Sequence, residues 1–158
     1  MKESIKKGLG FGLTSGVMTP LGLMVGLSVG TESKLVVVAG ILTIAIADSL
    51  SDALGMHISQ ESVKKNTSKK IWESTYSTFF FKLIIALSFL IPVLFLNLTT
   101  AILISIVWSF LLLSIFSVYL AEEHKKKKWK VVAEHLIIAS VIIIVTYFLG
   151  KFLKGFVV

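Results

Sequence analysis

Residues 83–121 form one apolar run without a single charged side chain. A helix that crosses the hydrocarbon core of a bilayer needs about 20 mostly apolar residues, so this run is too long for one such helix. Asn97 and Thr100 are polar residues near its middle, and we predict a helical hairpin that turns between them. In the whole chain 55% of the residues are apolar, 16% are charged and the mean hydropathy is +0.89. These values exclude a disordered chain, a nucleic-acid-binding domain and an ordinary soluble enzyme.

The hydropathy pattern predicts an all-α integral membrane protein with five transmembrane helices in a single domain, 1–158. The predicted spans lie at about 11–30, 35–57, 79–96, 101–121 and 131–152. Lysines cluster before the first span, in a predicted cytoplasmic loop at 59–78 and between the last two spans. Such clusters mark cytoplasmic segments, so we predict a cytoplasmic N-terminus and a C-terminus outside. The predicted localisation is multi-pass, in the plasma membrane if the protein is prokaryotic.

Two aspartates interrupt the second predicted span. Asp48, Asp52 and Met56 follow one another at four-residue spacing, so they share one helical face. Each aspartate near the membrane centre raises the free energy of membrane insertion by about 2.5–3.5 kcal/mol. The eight Leu, Ile and Val residues at 35–46 together lower it by roughly 4 kcal/mol. The face therefore meets water, a partner or a bound cation, and intramembrane carboxylates are candidates for ion paths and proton relays. A hydrated position at the cytoplasmic rim, paired with a lysine, is the alternative for Asp52.

The first predicted span carries two glycine series with four-residue spacing. They are Gly8, Gly12 and Gly16, then Gly22, Gly26 and Gly30. Such series let another helix approach closely, and structural packing is their commonest role. Pro20 has no amide hydrogen and leaves the Gly16 carbonyl without its helical donor. Because a freed carbonyl inside a membrane must be satisfied by protein or a wet cavity, it can also help to hold a cation.

Ionisable residues gather at the predicted cytoplasmic ends of the spans. Solvated loop charges are the simplest interpretation for most of them, but His57, Glu61, Glu134 and His135 are candidates for the cytoplasmic mouth of an ion path. Adjacent residues of a helix point about 100° apart, so the last two cannot both face one site. Lys82 is predicted to snorkel to the interface at the start of the third span. Interhelical hydrogen bonds are predicted for Ser105, Ser109 and Ser140.

Three segments carry motif-like patterns: residues 12–19 (GLTSGVMT), 47–59 (ADSLSDALGMHIS) and 146–150 (TYFLG). They resemble motifs of the vacuolar iron transporter family, five-span carriers that exchange Fe²⁺ or Mn²⁺ for protons. The family motifs are usually Gly-Ala-Asn-Asp-Gly in the first helix, Ala-Asp-Gly-x-Ser-Met-Ala-x-Gly-Glu-Tyr-x-Ser in the second and Thr-Tyr-x-x-Gly in the last. Together with the span number and the predicted orientation, the resemblance covers nearly the whole chain.

The chain departs from the family pattern at three positions. Ser15 stands where the family has a first-helix aspartate thought to bind the metal. Asp52 stands at the second-helix methionine, and Met56 stands at the glutamate of Gly-Glu-Tyr. The second helix thus keeps a carboxylate and a methionine, but with their positions exchanged. The loop at 59–78 is too short and too rich in lysine for the glutamate-rich cytoplasmic module that some members carry.

The resemblance implies a transporter of a divalent transition metal, Fe²⁺ or Mn²⁺, that exports the metal from the cytoplasm by proton-coupled antiport. Asp48 and Asp52 would be ligands or proton carriers and Met56 a secondary ligand, while Ser15 and the Gly16 carbonyl would complete the site. The metal is the transported ion, and no tightly bound cofactor is expected. The expected partners are the metal ion, the lipid bilayer and a second copy of the chain in a homodimer, without nucleic acid.

Two other classes of function are alternatives to transport. A non-transporting membrane scaffold or partner-binding protein that keeps the transporter fold is the alternative, and the loss of the first-helix aspartate favours it. An intramembrane aspartyl protease needs two aspartates on different helices, whereas Asp48 and Asp52 lie on one helix. We therefore predict that the protein is not an enzyme.

Overall fold

The computed structural model describes residues 2–123 and 125–157, and all the secondary structure in these ranges is helical. The helices are α1 (Glu3–Thr31), α2 (Lys34–Glu61), α3 (Ser68–Ser88), α4 (Leu90–Phe95), α5 (Leu98–Glu123) and α6 (Lys128–Val157). Among the described residues, five helical segments are long and apolar enough to cross a membrane, with α3 and α4 together forming one of them, Ser68–Phe95. The predicted all-α architecture with five such segments is confirmed.

The helices extend beyond the apolar spans predicted from the sequence. The largest difference lies in the predicted loop at 59–78, where only residues 62–67 are outside a helix. Hydropathy marks the part of a helix that suits hydrocarbon, whereas lysine, glutamate and serine can extend the same helix into water. The Asn66 side chain closes the short connection by donating from Nδ2 to the Gln60 carbonyl at 2.9 Å.

A short interruption at Phe89 separates α3 from α4. Pro92 has no amide hydrogen, so the carbonyl of Ser88, four residues earlier, loses its helical donor. The Phe89 amide donates to the Ala86 carbonyl at 3.2 Å, which is the tighter bonding of a 3₁₀ turn. The proline therefore accounts for the division of one apolar segment into two helices.

The described chain forms two compact units. The first unit contains the chain up to Pro20 together with Ile41–Leu90, and thus the start of α1, most of α2 and all of α3. The second unit contains Leu21–Gly40 and the chain from Ile91 onward. Small side chains and glycines let the helices of each unit pack closely. Fully buried residues of the first unit include Val17, Ile41, Ala45, Ala86 and Phe89.

In the second unit the later glycine series of α1 packs against α6. A Cβ atom placed on Gly30 would lie 3.4 Å from the Gly150 carbonyl oxygen, and one placed on Gly150 would meet the Gly26 carbonyl. The Lys34 ammonium donates to two carbonyls at the end of α4, those of Leu94 at 2.9 Å and Leu96 at 3.0 Å. This lysine therefore satisfies acceptors that a helix leaves open at its C-terminus.

The predicted interhelical hydrogen bonds of the serines are wrong. Ser109 donates to the Ser105 carbonyl, and Ser140 donates to the Leu136 carbonyl, each at 2.7 Å and within its own helix. The carbonyl one turn earlier is always within reach of a helical serine, so it competes with any partner on a neighbouring helix. The buried hydroxyl of Ser105 has no hydrogen-bond partner in the described part of the chain.

Candidate functional site

Close packing of α1 against α3 assembles the site in the first unit. A Cβ atom placed on Gly12 would lie 2.6 Å from the Thr78 carbonyl oxygen, and one placed on Gly16 would lie 3.1 Å from Lys82 Cα. Only glycine leaves room for so close an approach of two backbones. The first glycine series thus has a packing role within this chain, and it places α1 beside Lys82.

Lys82 is the buried centre of the site, with a side chain that is only 1% exposed. Its ammonium forms an ion pair with Asp48, at 2.5 Å from Oδ2, and a second ion pair with Asp52. It also donates a hydrogen bond to Ser15 Oγ at 2.8 Å. The prediction that Lys82 snorkels to the interface is therefore wrong, because two carboxylates inside the protein compensate its charge and its desolvation.

Ser15 joins α1 to this ion cluster, which we define as Ser15, Asp48, Asp52 and Lys82. The Ser15 hydroxyl donates to Asp52 Oδ2 at 2.6 Å and accepts the hydrogen bond from Lys82. One hydroxyl can do both because it has one hydrogen and two lone pairs. The ion cluster thus connects three helices, α1, α2 and α3. Its two carboxylates and one ammonium leave one formal negative charge in excess.

The two aspartates are more accessible than the lysine. Their side chains are 31% exposed at Asp48 and 20% exposed at Asp52. Oδ2 of Asp48 is itself buried and has no hydrogen-bond partner among the described residues, so its contact with Lys82 is an ion pair without hydrogen-bond geometry. A carboxylate has about four acceptor sites, and the pair therefore has the capacity to accept a further donor or a cation.

The atoms that contact the Lys82 ammonium are oxygen atoms. They come from the two carboxylates and from the Ser15 hydroxyl. Met56 lies one turn beyond Asp52 on α2 and is half-buried, and Gly16 is buried against α3. Within residues 2–123 and 125–157, no three His, Cys, Asp or Glu side chains are grouped so that they could hold a metal ion. The site therefore offers a cation two carboxylates and a hydroxyl, with the lysine ammonium between them.

His57 and Glu61, predicted at the cytoplasmic mouth, both belong to the first unit. His57 Nδ1 lies 3.0 Å from Thr75 Oγ1, and its ring meets the Trp72 ring edge-on at a centroid distance of 4.7 Å. The Thr75 hydroxyl donates to the Ile71 carbonyl, so it accepts from His57, and Nδ1 carries the hydrogen. Glu61 is exposed at the last residue of α2. His57 thus contacts α3 through its Nδ1 atom and through its ring.

Glu134 and His135 belong to the second unit, on α6. His135 Nδ1 lies 2.6 Å from Ser117 Oγ, and the Ser117 hydroxyl donates to the Leu113 carbonyl at 2.5 Å. By the same reasoning as for His57, His135 donates from Nδ1. Glu134 is exposed, whereas the neighbouring imidazole is half-buried. The expectation that these two adjacent residues face different surroundings agrees with their positions.

Two sets of contacts in the first unit were not predicted from the sequence: the pairing of Lys82 with the two aspartates, and the contacts of Glu73. Lys82 is the only charged residue in the predicted third span, and an isolated charge inside a span is a functional candidate by default. That signal was sufficient to identify Lys82 as a candidate site residue.

Glu73 on α3 receives the Lys2 ammonium at Oε1 and the Ser4 hydroxyl at Oε2, each at 2.6 Å. No spacing rule connects these residues, because they are distant in the sequence.

Comparison with known proteins does not assign the chain to a family. No protein-family model matches it, and no curated protein matches its sequence.

Proposed function

We propose that the protein is a multi-pass membrane carrier of a divalent transition-metal cation, Fe²⁺ or Mn²⁺. The observation that supports it most directly is the pairing of Lys82 with Asp48 and Asp52 inside a chain of five apolar helical segments. Ionisable residues within such segments are expensive to bury and mark ion pathways by default. The distribution of lysines supports a cytoplasmic N-terminus and a C-terminus outside. The resemblance adds export by proton-coupled antiport and a homodimer to the proposal.

In this mechanism the Lys82 ammonium and the transported cation compete for the same carboxylates. Lysine carries its charge on a flexible four-carbon stem, so the ammonium can withdraw when a cation arrives and return when it leaves. A divalent cation balances both carboxylates, whereas the ammonium balances only one. The return of Lys82 favours cation release, because it prevents two partly buried carboxylates from being left uncompensated.

The ligand types around the ion cluster are compatible with the proposed cations. Oxygen ligands from Asp48, Asp52 and Ser15, with the Gly16 carbonyl as a further donor, suit Mn²⁺ and Fe²⁺. The thioether of Met56, one turn further along α2, favours these ions over Mg²⁺ and Ca²⁺. Exchange for protons would limit the charge carried across the membrane in each cycle.

Transport by proteoliposomes containing the full chain tests this proposal. Fe²⁺, Mn²⁺, Co²⁺, Zn²⁺ and Ca²⁺ are supplied in turn outside, with a metal-sensitive dye and a pH-sensitive dye inside. We expect uptake of Mn²⁺ or Fe²⁺ with opposite proton movement, and loss of that uptake in Asp48→Asn and Asp52→Asn, because each variant removes a charged oxygen ligand. Glu3→Gln, which removes an exposed carboxylate from α1, is the matched control and keeps the wild-type rate. Unchanged flux in both Asn variants, or no flux of any cation, would remove the carrier proposal.

A non-transporting membrane scaffold or partner-binding protein is the second candidate, and the ion cluster also supports it. Lys82 already forms ion pairs with Asp48 and Asp52, and Ser15 adds a third helix to the same contact. A cluster of this kind can hold helices together without any external ion. Thermal unfolding of the purified protein distinguishes the two candidates. At a Mn²⁺ concentration of 100 Kd, the free energy of unfolding of a carrier should rise by about 2.7 kcal/mol, whereas that of a scaffold should not change.

A further inference from the structure

The second unit contains a cavity of about 720 Å³ lined by α1, α5 and α6. This volume lies within the range of about 300–1,000 Å³ that is typical of small-molecule sites. None of the residues of the ion cluster lines it. The cavity is therefore a separate candidate for ligand binding.

The lining of this cavity changes from apolar to charged along the helices. Val25 of α1, Ile106 of α5 and Ile143 of α6 line its apolar part. Glu32, the residue after the end of α1, also lines the cavity, as do Lys151 and Lys154, about two and three turns beyond Ile143 on α6. A ligand that matches this lining has a hydrocarbon part and a charged group at one end.

The charged end has a cation in excess. The Lys154 ammonium pairs with Glu32 at 2.5 Å, and this pair is neutral. Lys151 is exposed on the same helix as Lys154 and has no hydrogen-bond or ion-pair partner in the described ranges. The charges of one carboxylate and two ammonium groups sum to one positive charge. This end of the cavity therefore favours a ligand with an anionic group, and Lys151 is the first partner of that group.

We propose that this cavity binds an anionic phospholipid, with an acyl chain among the apolar residues and the phosphate at Lys151 and Lys154. Basic pockets between transmembrane helices on the cytoplasmic side recognise anionic head groups, and the same charge attraction acts on a head group at the opposite face of the membrane. A zwitterionic lipid would place its own cation beside the lysines, and a water-soluble anion would leave the apolar lining unfilled. The inference rests on the membrane insertion that the proposed function also assumes, but not on cation transport.

Native mass spectrometry of the full chain, released from mixed detergent micelles, tests this site. The protein is incubated with equal amounts of phosphatidylglycerol and phosphatidylcholine of the same acyl chains. We expect wild-type protein to retain phosphatidylglycerol about fivefold more than phosphatidylcholine, which corresponds to the contribution of one lysine near a lipid surface. Lys151→Gln should remove this preference. Lys64→Gln, a change at an exposed lysine of the connection between α2 and α3, should leave it intact.

A second variant tests the apolar part of the cavity. Ile102 lines it, and Ile102→Trp should reduce the retention of both lipids while the protein remains folded and monodisperse. Equal retention of the two lipids by wild-type protein, or the same loss in Lys151→Gln and Lys64→Gln, would overturn the proposal. A dimer that carries no lipid would show that a second copy fills the cavity instead, and would also overturn it. Asp52→Asn should abolish cation flux without changing lipid retention, so the two proposals fail separately.

Discussion

The ammonium of Lys82 on α3 lies 2.5 Å from Oδ2 of Asp48 on α2. Each of these charges would be unfavourable without the other, because an uncompensated charge in a protein interior or a bilayer loses its hydration. The pairing therefore makes the stability of the two helices mutually dependent. It also defines what any external cation must displace.

Replacing Lys82 should destabilise the protein more than replacing any exposed lysine. Lys82→Met leaves Asp48 and Asp52 close together without a cation, and loss of one partner of a buried pair costs about 3–5 kcal/mol. Reversible unfolding of purified protein in detergent and denaturant measures this change. Combining Lys82→Met with Asp48→Asn and Asp52→Asn should restore most of the loss. A wild-type unfolding midpoint for Lys82→Met alone would contradict the ion cluster.

Removing the Ser15 hydroxyl should have a smaller effect of the same kind. Ser15→Ala deletes the hydrogen bond to Asp52 and should lower the free energy of unfolding by about 1 kcal/mol. Ser51→Ala, at an exposed serine of α2, is the control and should change it little. The same unfolding titration compares the two variants. Equal effects would mean that the Ser15 contact contributes nothing to stability.

Two glycines on different helices should respond in opposite ways to the same substitution. Gly12→Ala places a Cβ atom 2.6 Å from the Thr78 carbonyl oxygen, so α1 must move, at a cost of about 1–3 kcal/mol. A Cβ atom on Gly55 meets no atom of the described residues within 4 Å. Gly55→Ala should therefore raise the free energy of unfolding by up to about 1 kcal/mol, because alanine has the higher helix propensity. Thermal midpoints that fall equally in both variants would argue against close packing of α1 and α3.

The proposed orientation can be tested with single cysteines, because the chain has no cysteine of its own. Lys64→Cys lies in the connection between α2 and α3, and Gly155→Cys lies near the end of α6 at an open position. A membrane-impermeant maleimide applied to intact cells should label Gly155→Cys at once. Lys64→Cys should react only after permeabilisation, since lysine-rich loops stay on the cytoplasmic side. The reverse labelling pattern would invert the proposed topology.

The number and approximate position of the apolar helices could be predicted because each depends on residues close together in the sequence. In hydrocarbon, a long uncharged run such as 83–121 has no water to bond its backbone groups. A helix satisfies these hydrogen bonds within a single segment. The helix ends were less predictable. α3 begins at Ser68, inside the predicted loop, because polar residues form helix as readily as apolar residues when a neighbour supports them.

The ion cluster was only half predictable. The four-residue spacing of Asp48 and Asp52 predicts that both lie on one helical face, because local geometry determines which residues share a face. The cost of placing two carboxylates in the membrane predicts that this face has a partner. The identity of that partner depends on how α3 packs against α1 and α2, and the sequence suggested only that Lys82 lay alone in an apolar span. Its side chain has enough length to reach either the interface or the interior.

The sequence by itself therefore determined the helical architecture and the presence of acids that cannot face lipid, because both follow from hydropathy and from contacts within one helix. Only the tertiary structure decided that Lys82 compensates those acids and that Ser15 completes the contact. The physical reason is that the energy of a buried charge depends on the atoms within a few ångströms of it. Those atoms come from three helices, and the contacting residues of different helices are 30 or more positions apart along the chain.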